Sequence, residues 1–459
     1  MKTSIFATCA VLASYAAAAD LDVTRYGAKT DGTTDNTAAI QKAIDDCSAA
    51  GGGRVLVPGG GAYVTYTLNL KNNVELHVAR GATLLGGEDP YKYPEFEKND
   101  VWNAERAPRF NRRAMFYTAG QTNVAITGAG TIDGNAEKFH HKTESRNWTG
   151  YAWWRNSDTN ITGRCVFFVG CRDVRLDDIL IYHPSGWSTW FLDCDRVGVR
   201  GVRIEADKRF PNGDGLHFGG CRDVVVSDCV VDSQDDAFIV RDHQEQMKKP
   251  RPCERMVVNN CILNSAGAYA IRMGWRGDGP LKDVSFNNII STHSRCGVSF
   301  TVPNSPKGED KDPPRGRGIE SPPRESLLPF SAENIRFSNM DITCDRPPCL
   351  VVVGNSATTP IAYMKNISFS HCRFKSPDAP RVSFRPEDNV RDWRFSDVVF
   401  EGGNDANLTP QEIFKGIKDV ELDNVKIVCP DTVERAGVKP THGLSGESRR
   451  TSARPETRR

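Results

Sequence analysis

The chain has 459 residues, 39% of them hydrophobic, and a formal net charge of +1. That is enough apolar material for a large core, and the near-zero charge excludes a global field that would draw nucleic acid or a membrane surface. The basic excess is local, in the C-terminal tail.

Residues 1–19 read as a secretory signal: Lys2 gives the positive start, Ile5 to Ala18 the short apolar run, and Ala16 to Ala19 the small-residue cleavage site. No later segment reaches about 18 uninterrupted apolar residues. The expectation is an exported protein, secreted or extracellular, and periplasmic or at the cell surface if the source is bacterial. Fourteen cysteines are present, and removal of Cys9 with the leader leaves an odd number. Export permits disulfides. No CxxC pair occurs and His is sparse, so no metal and no cofactor are expected.

After the leader, Val23 and Tyr26 fit a short strand. Asp35 or Asn36 can then cap a helix whose apolar positions Ala39, Ile40, Ala43, Ile44 and Cys47 follow helical spacing. Gly51-Gly52-Gly53 stops it, and Arg54 to Pro58 reads as the next strand. Such a helix would cover the open apolar end of a stack.

From Leu68 the pattern changes to short strands that repeat. Asn123-Val-Ala-Ile-Thr, Asp173-Val-Arg-Leu-Asp, Asp223-Val-Val-Val-Ser, Asp283-Val-Ser-Phe-Asn and Asn366-Ile-Ser-Phe-Ser can be laid under one another. An inward residue recurs at Val174, Val197, Val224, Met256, Val284, Ile335, Ile367, Trp393 and Val420. A step of about 25 residues marks a solenoid. The longest step, Val284 to Ile335, contains a Pro-rich insertion at 303–329. With strands this short and almost no helical periodicity, the pattern predicts an all-β, right-handed parallel β-helix over residues 20–430. A propeller or sandwich would need hairpin turns, which are few here. Cys171, Cys194, Cys221 and Cys253 fall at one repeat position and Cys229, Cys261 and Cys372 at another. They are read as ladders of small buried residues, although stacked residues about 4.8 Å apart also lie within disulfide range. Cys344 and Cys349 look like a local loop bridge. The tail, 431–459, is expected to be disordered. Asn147, Asn160 and Asn366 begin glycosylation sequons.

The repeat gives Asp214, Asp235 and Asp236 their meaning. Asp214 and Asp235 are 21 residues apart, so they stack on consecutive coils at one strand edge. Carboxylates this close cannot all ionise freely, so at least one pKa rises. One proton donor beside ionised partners is what glycosidic bond hydrolysis uses. Asp173, Asp223, Asp283 and Asp419 are read as turn residues.

Asn212-Gly-Asp-Gly and Gln234-Asp-Asp, at this spacing, resemble the Asn-x-Asp and Asp-Asp motifs of the polygalacturonases, glycoside hydrolase family 28. Tyr26-Gly-Ala-Lys-Thr-Asp-Gly-Thr-Thr-Asp resembles the opening of many pectin-lyase-fold proteins. The resemblance covers roughly residues 20–430. It implies Asp235 as general acid, Asp214 and Asp236 as holders of the attacking water, and inversion at the sugar. Two motifs are missing. Where the family has Gly-His-Gly, this chain has Gly267 or Ala268. Where it has Arg-x-Lys, this chain has Ser299 and Thr301. Arg241 and Arg272, with His217 and Trp275, are the candidates to bind substrate instead. The expected partner is a polysaccharide, bound by a monomer. The alternatives are a β-helix lyase or uronate epimerase, and a non-catalytic carbohydrate-binding protein.

Overall fold

The computed structural model describes residues 19–96, 99–101, 113–146, 152–156, 164–242, 247–274, 280–302, 330–345, 349–354, 361–402 and 408–429. Trp275, the 303–329 insertion, residues 1–18 of the expected leader, the 431–459 tail and the sequons at Asn147 and Asn160 lie outside them. No helix among the described residues is long and apolar enough to cross a membrane.

The repeat is real and it is parallel. Among the described residues, 27 strands wind into one continuous parallel sheet, and only His140–Arg146 and Ala152–Asn156 pair antiparallel. The inward residues stack in register: Val174 on Val197, Val197 on Val224, Val224 on Met256, Met256 on Val284, Val284 on Ile335, Ile335 on Ile367, and Ile367 on Trp393. Side chains alternate across each strand, so one row per strand fills the interior. Phe168, Phe191, Phe218 and Phe238 form one internal stack, with centroids 5.6, 5.0 and 5.3 Å apart.

The polar residue that opens each repeat has a backbone reason. Asn123, Asp173, Asp223, Asp283, Asn366 and Asp419 all have φ between 52 and 58°. This left-handed conformation suits Asn and Asp and costs other side chains about 1–2 kcal/mol. Arg196 and Arg255 occupy the same position at φ 53 and 54°. Each ion-pairs with the stacked aspartate of the preceding coil, Arg196 with Asp173 and Arg255 with Asp223. The asparagines also bond along the stack, as Asn366 Nδ2 does to Asn334 Oδ1 at 2.6 Å.

Helix α1, Thr37–Ala49, buries Ile40, Ala43, Ile44 and Cys47 over the first coil. Its cap is divided between the two expected residues. Asn36 occupies the cap position but uses its side chain to tie down Lys29. Asp35 instead accepts from the Thr37 N–H at 3.0 Å. The segment Val23–Tyr26 is a 3-10 turn, not the expected strand: Asp22 caps the Thr24 N–H at 2.8 Å, and Gly27 closes the turn at φ 92°. A second helix, α2 (Pro410–Phe414), packs Phe414 on Phe395 at 4.3 Å over the last coil. Its Thr409–Glu412 capping box is a local sequence signal.

All thirteen cysteines from Cys47 to Cys429 are buried thiols. Cys171, Cys194 and Cys221 interact through their sulfurs along the stack, as do Cys229 and Cys261. The expected Cys344–Cys349 bridge is absent. Both are buried thiols: Cys344 pairs in register with Ser294, and the Cys349 carbonyl accepts the Val298 N–H at 2.8 Å. The native protein should therefore give almost no reaction with a thiol reagent, and these thirteen thiols should become titratable on denaturation.

Candidate active site

Three consecutive coils converge on one sheet, whose strands include Leu216–Gly219, Phe238–Arg241 and the segment around Ile271. The aspartates precede the first two of these strands. The Gly215 N–H donates to the Asp236 carbonyl at 2.8 Å, and the Gly213 carbonyl accepts from the Gln234 N–H at 3.0 Å. Gly215 makes this approach possible: a Cβ there would sit 2.3 Å from the Ala237 carbonyl oxygen. The expected adjacency follows. One carboxylate oxygen from each of Asp214, Asp235 and Asp236 lies within 4.8 Å of the others.

The three do not share one environment. Asp214 and Asp236 are buried, and Asp235 is half-buried. Burial and then the charge of Asp236 push the Asp235 carboxyl up to about 6. Burial raises Asp236 as well, but the Arg272 guanidinium, which ion-pairs with it, and the Tyr269 N–H, which donates to Oδ1 at 3.1 Å, work against that. Arg272 also lies over the Tyr269 ring at 4.8 Å. The Asp235–Asp236 turn is fixed from behind: Ser265 Oγ donates to the Asp235 carbonyl at 2.6 Å and accepts the Ala268 N–H at 3.0 Å.

Of the residues expected to bind substrate, Arg272 touches the cluster directly. Arg241 is buried and its charge reaches both Asp236 and Arg272. His217 is buried on the coil of Asp214, its ring 4.2 Å from that of Trp187. Two further residues bear on the site. Arg295 is half-buried, donates to the Gly267 carbonyl at 3.2 Å, and lowers Asp235 by its charge. The Gln234 carboxamide is fully buried and makes no hydrogen bond among the described residues. Arg295 was findable, because it sits one coil after the Gly267 segment. Gln234 lies inside the Gln-Asp-Asp motif itself.

Residues 98–253 match the model of the glycosyl hydrolases family 28. That span contains all three aspartates. Over that span the chain is similar to the family 28 glycosyl hydrolases. It is 28% identical over 306 residues to the exo-poly-alpha-D-galacturonosidase of Dickeya chrysanthemi, over 59% of this chain and 50% of that protein. It is 24% identical to a "Probable polygalacturonase" of Vitis vinifera, over 62% of this chain and 58% of that one. The chain thus spans about half the length of these relatives. Among solved structures, a hyperthermoactive exopolygalacturonase from Thermotoga maritima superposes with a TM-score of 0.65 at 19% identity, covering 89% of this chain and 92% of that one. At that identity the likeness shows the β-helix fold alone and leaves the activity to the site.

Proposed function

We propose that the protein is a secreted glycoside hydrolase that cleaves glycosidic bonds of a pectic or related acidic polysaccharide with inversion. Asp235 protonates the leaving oxygen. Asp214 and Asp236 orient and deprotonate the attacking water. The observation that carries this reading is the unequal trio: three carboxylate oxygens within 4.8 Å, with Asp235 pushed up to about 6 and Asp236 ion-paired to Arg272. Distance alone would suit a retaining pair. A carboxylate held by a guanidinium and an N–H is a poor nucleophile, however, which favours water over Asp236 as the attacking group. Arg241, Arg272 and Arg295 surround the trio with positive charge, which suits a substrate carrying carboxylates.

Incubation with polygalacturonate and other acidic polysaccharides should produce new reducing ends, with the first-formed anomer inverted by proton NMR. A retained anomer overturns the inverting step, and no reducing ends on any of them overturns the hydrolase. The acid must carry its proton, so kcat/KM is expected to fall as pH rises through about 6.

One observation favours a second reading. Three carboxylate oxygens this close could hold a divalent cation, as a lyase that neutralises a uronate with calcium would require. Calcium-dependent growth of an ultraviolet-absorbing product without hydrolysis would select it.

A further inference from the structure

Among the described residues, the sheet that carries the aspartates is covered on one side of them. Its outward row runs from Tyr117 through Phe167, Trp190 and His217 to Ile239 and Arg272, by the strand register. An outward row on the exposed face of a β-helix should meet solvent. Instead Phe167 and Trp190 have no exposure at all. They belong to a second apolar cluster, separate from the interior core, which also takes in Phe96, Leu192 and Met247.

Two segments from opposite edges of the sheet build this cover. Phe96 stacks on Tyr117 at 4.0 Å and meets Phe167 at 5.3 Å. From the other edge, Met247 lies over Gly220, where an added Cβ would meet its Cε at 3.0 Å. The Lys248 N–H donates to the Val101 carbonyl at 2.9 Å and joins the two segments across the sheet. Arg251 anchors the second one, donating to the Gly220 carbonyl at 2.7 Å and pairing with Asp195 at 3.0 Å.

The closure reaches the carboxylates. Ser188 donates its N–H to the Asp214 carbonyl at 2.9 Å, so Trp187 is on the coil next to Asp214, about 4.8 Å along the axis. Trp187 meets Trp190 edge to face at 5.4 Å and is half-buried, so part of its ring faces outward from the cluster. On the other side the site offers the polar Arg272 and Arg295, both partly exposed. A polysaccharide cut at an internal bond must leave the site in both directions. Here one direction is filled by packed aromatic side chains.

We propose that the site is a blind-ended pocket. The aromatic cluster stops the chain on the N-terminal side, Trp187 is the face against which the terminal sugar stacks, and cleavage removes units from a chain end. This rests on the hydrolase reading above, and the test separates the two. The full-length protein is given polygalacturonate, and products are sized at low conversion while viscosity is followed. The expected result is a single product size from the first time point with viscosity almost unchanged. Trp187→Ala should raise KM several-fold with kcat kept, and Trp187→Phe should restore it. Phe96→Ser, which opens the cover, should add longer products. A ladder of oligomers at low conversion with rapid loss of viscosity overturns the blind end and leaves the hydrolase standing. No new reducing ends on polygalacturonate or on any of the other acidic polysaccharides overturns both.

Discussion

Replacing Asp235 by Asn is expected to lower turnover by about 10²- to 10⁴-fold, the usual contribution of a general acid. The same change should make the protein more stable at neutral pH. Asp235 has its carboxyl raised from 3.8 to about 6 in the folded chain. The folded state therefore holds this proton more tightly than the unfolded state, and stability is lost as pH rises from about 4 to about 6. That shift corresponds to about 2–3 kcal/mol at pH 7, an upper figure because the side chain is half-buried. Asparagine cannot ionise and escapes the penalty. Denaturant melts at pH 4 and pH 7 should show the variant close to wild type at the lower pH and above it at the higher. Loss of activity with lower stability at pH 7 would instead mean a damaged fold, and full activity would remove Asp235 from the acid role.

Replacing Arg272 by Ala should have the opposite effect on stability. It leaves Asp236 buried without its guanidinium partner. Breaking a buried pair from one side typically costs about 3–5 kcal/mol. With the counter-charge gone, Asp236 is pushed further up, so the penalty should be largest at pH 8 and shrink as acid protonates the carboxyl. Denaturant midpoints across pH would display this slope. Arg272→Lys should recover only part of the loss, because the ammonium cannot reproduce the planar fork that also lies over Tyr269. In activity, the charge of Arg272 pulls Asp235 down as well, so in Arg272→Ala the fall of kcat/KM with pH should begin above the wild-type value, while Arg272→Lys, which keeps the charge, should stay nearer to it. A pH-independent loss would mark Arg272 as structural only.

Much of the site is legible in the sequence. A strand repeat has one degree of freedom, its register, and the inward Val, Ile and Phe positions determine it, because a slip by one residue would turn the apolar row outward. Once Leu216 stacks on Phe238, Asp214 has to meet the Asp235-Asp236 pair. The polar residue opening each repeat was equally readable, since only a few residue types accept positive φ cheaply. What escaped was held by contacts within or across turns. Val23–Tyr26 reads as a strand by its side chains, but the Asp22 cap and Gly27 make it a turn. Cys344 and Cys349 are close in sequence, yet both are buried thiols in the coil stack. Trp187 and Phe96 carried no motif, and only the folded chain brings the segment of Phe96 across the sheet to the segment of Met247.

The sequence by itself determined the β-helix, its capping helix and the meeting of three aspartates, because all three follow from a periodic pattern with local rules. The tertiary structure alone decided how those aspartates differ. Asp235 is raised by burial and by the charge of Asp236, and Asp236 is held down by Arg272 and Tyr269 from the following coil, and electrostatics depends on distance in space. It also decided that one side of the site is filled, since an outward aromatic row reads the same in sequence whether it faces solvent or a second layer of chain.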